Sequence, residues 1–198
     1  MPSISVQPAS QDRRKAVLDI MTLGFASDPV MRWTWPDPAT FLATFPKIAE
    51  GFGGRGFAHD SVFETNCGRA AAMWLPPGVE PDSEAMTEAS AASIPSDRIE
   101  ETTAFFSQMA DYHPQEPCWY LPLIAADPAH TGQGLGAALM RHALAKVDTD
   151  GLPAYLESSN PRNISLYQRY GFEVMGEIQA GSSPVMTPMI RPARAQST

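Results

Sequence analysis

Trp119-Tyr120-Leu121-Pro122-Leu123-Ile124-Ala125-Ala126-Asp127-Pro128-Ala129-His130-Thr131-Gly132-Gln133-Gly134-Leu135-Gly136 is the stretch that decides how this chain is read. Residues 121–126 form an apolar run that predicts a buried strand. Asp127-Pro128 ends it, because a proline biases the residue before it toward extended or turn geometry. Three alternate glycines follow, and then Ala137-Ala138-Leu139-Met140, which predicts a helix. The order is strand, turn, glycine-rich loop, helix. The first backbone N–H groups of a helix have no intrahelical partner, and the macrodipole makes that end partly positive. Glycines there remove side chains that would hold an anion away and permit positive φ. The loop is therefore a candidate pyrophosphate cradle. The alternative is a tight turn that binds nothing.

Two other phosphate loops do not fit. A nucleotide-hydrolase loop requires Lys followed by Ser or Thr after its last glycine, where this chain has Ala137-Ala138. The dinucleotide fingerprint requires two residues between its last two glycines, early in a βαβ unit. Here the glycines alternate strictly, two-thirds of the way along the chain.

The spacing resembles the acetyl-CoA loop of the GNAT superfamily of N-acetyltransferases, Gln/Arg-x-x-Gly-x-Gly/Ala entered from a strand. Thr131 takes the Gln/Arg place, a departure that removes one long polar side chain, and Gly134 and Gly136 match the glycines. The segment 155–172, Tyr-Leu-Glu-Ser-Ser-Asn-Pro-Arg-Asn-Ile-Ser-Leu-Tyr-Gln-Arg-Tyr-Gly-Phe, resembles the second half of the same signature: a strand, Asn-x-x-x-Tyr on a helix, and Gly-Phe opening another strand. Within the superfamily, the wording of 119–172 is similar to that of the puromycin N-acetyltransferase group. The resemblance implies a single N-acetyltransferase domain over 1–198, of α/β (α+β) class, with a mixed, mostly antiparallel central sheet flanked by helices. It further implies that two central strands diverge and that acetyl-CoA, as cosubstrate, lies in the gap.

On the resemblance, the cofactor would be held by Ile124, Ala125, Ala126, Thr131, Gly132, Gln133, Gly134, Leu135, Gly136, Ala137, Asn163 and Tyr167. Acetyl transfer from a thioester to an amine needs a deprotonated amine, a stabilised carbonyl oxygen and a proton for the departing thiolate. Tyr167 lies four residues after Asn163, on one face of a short helix, and the family places a tyrosine there beside the sulfur. A phenol is protonated at neutral pH and can donate. A core tyrosine packed on the sheet is the plainer reading, and Tyr170 is the neighbour that could be confused with it. Backbone N–H groups of residues 124–126 are the candidates for the carbonyl oxygen. Glu157, at the end of a buried strand, is the first candidate base, because burial raises a carboxyl pKa toward a useful range. Asp28, His113 or a water relay are the alternatives. Phe25, Asp28, Trp33 and Trp119 are the candidate acceptor-binding residues, against simple packing beneath a loop.

Outward from the motifs, an alternating segment at 3–7 predicts a short strand. Ser10 can cap a helix that carries Ala16, Val17, Ile20, Met21 and Leu23 and ends near Gly24 or Phe25. Residues 25–36 read as a connection. A second helix is expected over 41–52, disturbed by Pro46 and broken by the glycines that follow. Residues 61–65 and 69–75 predict a hairpin joined by Asn66-Cys67-Gly68. The acidic, Ala/Ser/Pro-rich excursion at 77–97 is expected to be partly helical at 83–89, and 97–112 predicts a helix. The helix after the loop should reach about Val147, with Leu135, Leu139, Ala143 and Val147 against the sheet. A strand at 153–157, a helix at 162–170 capped by Gly171, strands at 172–178 and 185–190 and a frayed tail at 191–198 complete the reading.

At 198 residues, 43% hydrophobic and 18% charged, the chain has the bulk of one globular domain. A net charge of −8 argues against nonspecific binding to nucleic acid or anionic membranes and suits an amine substrate, although it also serves solubility alone. The two cysteines and four histidines show no ligand spacing, so no metal is expected. No signal peptide or spanning segment is legible, and a cytoplasmic location is the default expectation. The expected function is acetyl transfer from acetyl-CoA to a primary amine of a small molecule. The alternative is a catalytically silent acyl-CoA-binding or ligand-sensing domain. The acceptor and a homodimeric state are left open.

Overall fold

The computed structural model describes residues 4–91 and 93–194, so the readings of residue 3 and of residues 195–198 lie outside it. In chain order the elements are β1 (Val6–Pro8), α1 (Arg14–Phe25), α2 (Pro29–Thr34), α3 (Pro38–Gly53), β2 (Val62–Thr65), β3 (Ala70–Leu75), α4 (Ser83–Ala91), α5 (Ile99–Tyr112), β4 (Trp119–Ala126), α6 (Leu135–Asp150), β5 (Ala154–Ser158), α7 (Ile164–Arg169), β6 (Glu173–Val174) and β7 (Thr187–Arg191). The strands form one seven-stranded sheet in the order β1-β2-β3-β4-β5-β7-β6. Every neighbouring pair is antiparallel except β4 and β5, which run parallel.

Helices cover both faces. Residues of α1, α2 and α3, with Phe105 of α5, bury one apolar cluster against Ala71 and Met73 of β3 and Leu123 and Ala125 of β4. On the other face α6 lays its stripe, Leu135, Leu139, Ala143 and Val147, against Ala70, Ala72 and Trp74 of β3. Each large apolar side chain so buried contributes roughly 1.5–3 kcal/mol relative to exposure. The alternation along β3 is regular, as expected for a strand covered on both sides.

Strand β4 breaks that alternation. Leu75 pairs with Tyr120 and Met73 with Leu123, so two residues, Leu121 and Pro122, oppose Trp74 alone. This is a β-bulge, and it resets which side chains face which cluster. Trp119 and Leu121 face α6 before it, and Leu123 and Ala125 face the opposite helices after it. Pro122 occupies the bulge, one of the few places in a sheet where a missing N–H costs no ladder bond.

Four local expectations need correction. Arg191, read as the start of a frayed tail, is the last residue of β7 and is buried, donating from Nε to Tyr170 O at 2.9 Å. The segment after Asp28 is the helix α2, not a loop: Asp28 Oδ1 accepts from the N–H groups of Val30 and Met31 at 3.0 and 3.1 Å, and Pro29 sits at its first position. Helix α3 runs through Pro46 without a break. Ser10 stands before a 3-10 turn, Gln11–Arg13, but its side chain makes no capping bond. Among the described residues, no helix is long and apolar enough to cross a membrane.

Candidate active site

The β4–β5 pairing covers only Trp119↔Ala154, Tyr120↔Tyr155 and Leu121↔Leu156. It stops at the bulge, while β5 continues along β7 as far as Ser158↔Thr187. Beyond Leu121 the two strands therefore diverge and leave a slot through the sheet. Asp127 N donates to Arg69 O at 2.8 Å. Counting back by twos along an antiparallel ladder, the N–H groups of Ala125 and Leu123 also face β3, and those of Ile124 and Ala126 face the slot. Gly24 lets α1 approach β4 here, because a Cβ on it would lie 2.5 Å from that of Ala125. A cavity of about 100 Å³ fills the slot, with Phe25, Asp28, Glu157, Asn163 and Tyr167 among its walls.

Glu157 points to the face covered by α1 and α5. Its Oε2 accepts from the Tyr120 hydroxyl at 2.9 Å, while Oε1 is buried without a hydrogen-bond partner among the described residues. Burial pushes the carboxyl pKa up from 4.5 to about 7, partly offset by the Tyr120 hydrogen bond and the nearby Tyr155 hydroxyl. The Tyr155 hydroxyl is close enough for Glu157 to raise its pKa further, but it makes no hydrogen bond of good geometry and is itself buried. His113 packs edge-on against Tyr120 and Tyr155, with ring centroids 4.8 and 5.1 Å away, and burial lowers its pKa.

Asp28 is 5% exposed. Its Oδ1 caps α2, and its Oδ2 accepts from Ser159 Oγ at 2.6 Å, tying α2 to the β5–α7 turn across the slot. Burial raises its pKa, against the lowering effect of these hydrogen bonds.

The opposite face carries Tyr167 on α7. It is 5% exposed, and its hydroxyl makes no hydrogen bond among the described residues. Burial, and then the charge of Asp28, push its pKa up, so it stays protonated. Tyr170 is committed elsewhere: its hydroxyl donates to Ala137 O at 2.9 Å. Asn163 borders the cavity at the start of α7, while the side-chain bond of that turn comes from Asn160, which accepts from Arg162 N. Outside the residues that line the cavity, Gly132 and Gly134 have φ of 75 and 79° and nothing within 4 Å of where a Cβ would stand. Both glycines hold backbone conformations that L residues avoid, beneath open space, at the N-terminus of α6. Thr131 and Gln133 are exposed beside them, Leu135 turns into the core, and Ala137 lies in the first turn of α6. An open helix N-terminus of this kind suits an anionic group.

Of the residues singled out by sequence, the slot gathers Phe25, Asp28, Ile124, Glu157, Asn163 and Tyr167. It does not gather Trp33 or Trp119. Trp33 is buried against Phe105 and donates from Nε1 to Ser182 at 3.1 Å. Trp119 is buried on the α6 side and donates from Nε1 to Asp150 at 2.9 Å. Ala125 offers no free N–H, because its backbone is spent on β3. Sequence reasoning missed Tyr120, Ser159 and the α5 pair Phe106 and Met109, all of which border the cavity. The one available signal was Pro122, which is incompatible with an uninterrupted central strand.

The family model described as the acetyltransferase (GNAT) family matches residues 98–172, from the end of the acidic excursion to Phe172. Solved structures share the arrangement over nearly their full length. A histone acetyltransferase HPA2-related acetyltransferase from Corynebacterium glutamicum superposes with a TM-score of 0.69 at 22% identity, covering 99% of both chains. The Drosophila melanogaster polyamine N-acetyltransferase gives 0.63 at 14% identity, over 95% of this chain and 99% of that one. A mosquito arylalkylamine N-acetyltransferase-like protein gives 0.59 at 14%, over 96% and 99%. The chain therefore has the single-domain α/β fold of the GNAT acetyltransferases. The family match supports acetyl transfer as its general activity.

Proposed function

We propose that the protein is an acetyl-CoA-dependent N-acetyltransferase that acetylates a primary amine of a small molecule. One observation carries this reading: the slot between β4 and β5 has an elevated-pKa carboxyl, Glu157, on one face and a free, protonated phenol, Tyr167, on the other.

Acetyl-CoA would supply the thioester carbonyl that the amine attacks. The N–H groups of residues 132–136 and the start of α6 would hold its diphosphate, and Asn163 its amide-rich arm. Glu157, ionised above pH 7, takes a proton from the ammonium and leaves a nucleophilic amine. The N–H groups of Ile124 and Ala126 donate to the carbonyl oxygen as it gains charge. Tyr167 donates toward the departing sulfur. Its raised pKa exceeds that of an ordinary thiol, so it acts mainly as a hydrogen-bond donor and contributes at the lower end of the ~10²–10⁴-fold range.

The test is release of free thiol from acetyl-CoA by the purified chain with a panel of primary amines. Amine-dependent release supports the reading. Tight acetyl-CoA binding with no release for any amine would favour a silent acyl-CoA-binding domain.

A further inference from the structure

Resting on that reading, we propose that the acceptor is a compact lipophilic monoamine, and that α5 sets this preference. The polar groups of the cavity come from the diverging strand ends, the β5–α7 turn and Asp28 at the start of α2. The rest of its wall includes Phe25, Met31, Phe106, Met109 and Met186, which offer no charged or hydrogen-bonding side chain. Methionines are adaptable and favour aromatic contacts, so such a wall accepts a short alkyl or aryl body.

The number of charges the site can take follows from its free acceptors. Asp28 is a carboxylate in the cavity, but both its oxygens are engaged: Oδ1 by Val30 and Met31, Oδ2 by Ser159. Glu157 keeps one buried oxygen, Oε1, without a partner among the described residues. A single ammonium satisfies it. The second cation of a diamine would find no carboxylate oxygen free of hydrogen bonds, since both of Asp28's are engaged, and would have to lie against the methionine and phenylalanine side chains, where a charge is costly. A peptide backbone would leave N–H and C=O groups unpaired on the same wall.

The wall is partly a product of the segment after the acidic excursion. Phe106 and Met109 lie three residues apart on α5, so they share a face and reach the slot together. Phe106 is braced edge-on by Phe105, with ring centroids 5.6 Å apart, and Phe105 in turn packs on Trp33. Trp33 thus acts on specificity through α5 without touching the acceptor.

The experiment compares 2-phenylethylamine, spermidine and a lysine-containing peptide as acceptors, with the full chain at saturating acetyl-CoA. We expect kcat/KM for 2-phenylethylamine to exceed that for spermidine and for the peptide by at least ~10²-fold, as expected when an ionic partner is absent for the wrong ligand. Met109→Glu places a carboxylate on the apolar wall and should narrow the gap to spermidine by roughly tenfold or more. Equal or better turnover of spermidine or the peptide by the unaltered protein overturns the proposal and leaves the acetyltransferase reading intact. If no amine is turned over, the activity reading fails, and calorimetry decides the pocket separately: binding of 2-phenylethylamine but not spermidine upholds the monoamine site, and the reverse order refutes it.

Discussion

Glu157→Gln separates the burial of this carboxyl from its chemistry. The substitution keeps the shape of the side chain, and its amide oxygen can still accept from Tyr120 Oη, but it removes the ionisation. In the folded protein burial raises the Glu157 pKa from 4.5 to about 7. A carboxyl whose pKa rises on folding gives its stabilising contribution fully below 4.5 and loses it as pH rises through 7. The interval between 4.5 and about 7 corresponds to up to ~3 kcal/mol. Above pH 7 the ionised group therefore weighs against the fold, and the glutamine variant escapes that cost. Its unfolding free energy minus that of the unaltered protein should grow by up to ~3 kcal/mol between pH 4.5 and pH 8. For a chain of this size that is roughly 6–12 °C in Tm. Taking the difference at each pH cancels every other titrating group. Urea unfolding across the pH range supplies the free energies. Initial rates supply the second readout: the unaltered protein should gain kcat/KM up to about pH 7 and level off above it, whereas the variant should lose the limb and most of the rate. A stability difference that does not change with pH would refute the burial argument. A rate limb near pH 7 that survives in Glu157→Gln would show that another group is the base.

Tyr120→Phe removes the hydrogen bond that holds the Glu157 pKa down, so the rate limb should move to higher pH by about one pH unit, given ~1.5 kcal/mol for a hydrogen bond to a charged group; a pH–rate profile checks this. Tyr167→Phe should lower kcat roughly 10²-fold at saturating acetyl-CoA with little change in cofactor affinity, whereas Tyr170→Phe should cost about 1 kcal/mol of stability through the lost bond to Ala137 and leave the rate nearly intact. Running the two variants side by side in the thiol-release and thermal-unfolding assays distinguishes the tyrosines. Gly134→Val introduces a branched side chain at φ 79°, in the open space above α6, and should weaken acetyl-CoA binding by at least ~10-fold in calorimetry; unchanged affinity in a folded variant would put the diphosphate elsewhere.

Much of this architecture is legible in local patterns. The strand over 121–126, the glycine loop, the α6 stripe, the hairpin at Asn66-Cys67-Gly68 and the helix of the acidic excursion all follow from periodicity and punctuation, because each is decided by neighbours in sequence. Asp28-Pro29 was legible in two ways. The pair reads as a turn, but Asp at a cap and Pro at the first helical position also open a helix, and here they do. The slot was not legible, because it depends on pairing register between strands far apart in the chain. Trp33 and Trp119 illustrate the same limit. An aromatic near a motif can face a ligand or the core, and only the bulge and the helix packing decide that both face the core.

That bulge explains why the slot opens between β4 and β5. Strand β5 has a full five-residue partner in β7 and gives up only the pairs beyond Leu156 by leaving β4. Strand β4 is held on its other side by β3 as far as Ala126↔Ala70. Neither strand needs the other past residue 121, and Pro122 could not have donated there. The two edges of the slot then carry different groups. The β4 edge presents the backbone N–H and C=O groups of Ile124 and Ala126. The β5 edge presents Glu157, through an oxygen that has no partner among the described residues. In the proposed reaction, a group gaining negative charge would be stabilised by the N–H groups of the first edge, and a group losing a proton would be served by the second. Acyl transfer to an amine requires both at once, a few ångströms apart. One inserted residue in β4 supplies that polarity by parting two strands and leaving their unlike edges facing each other.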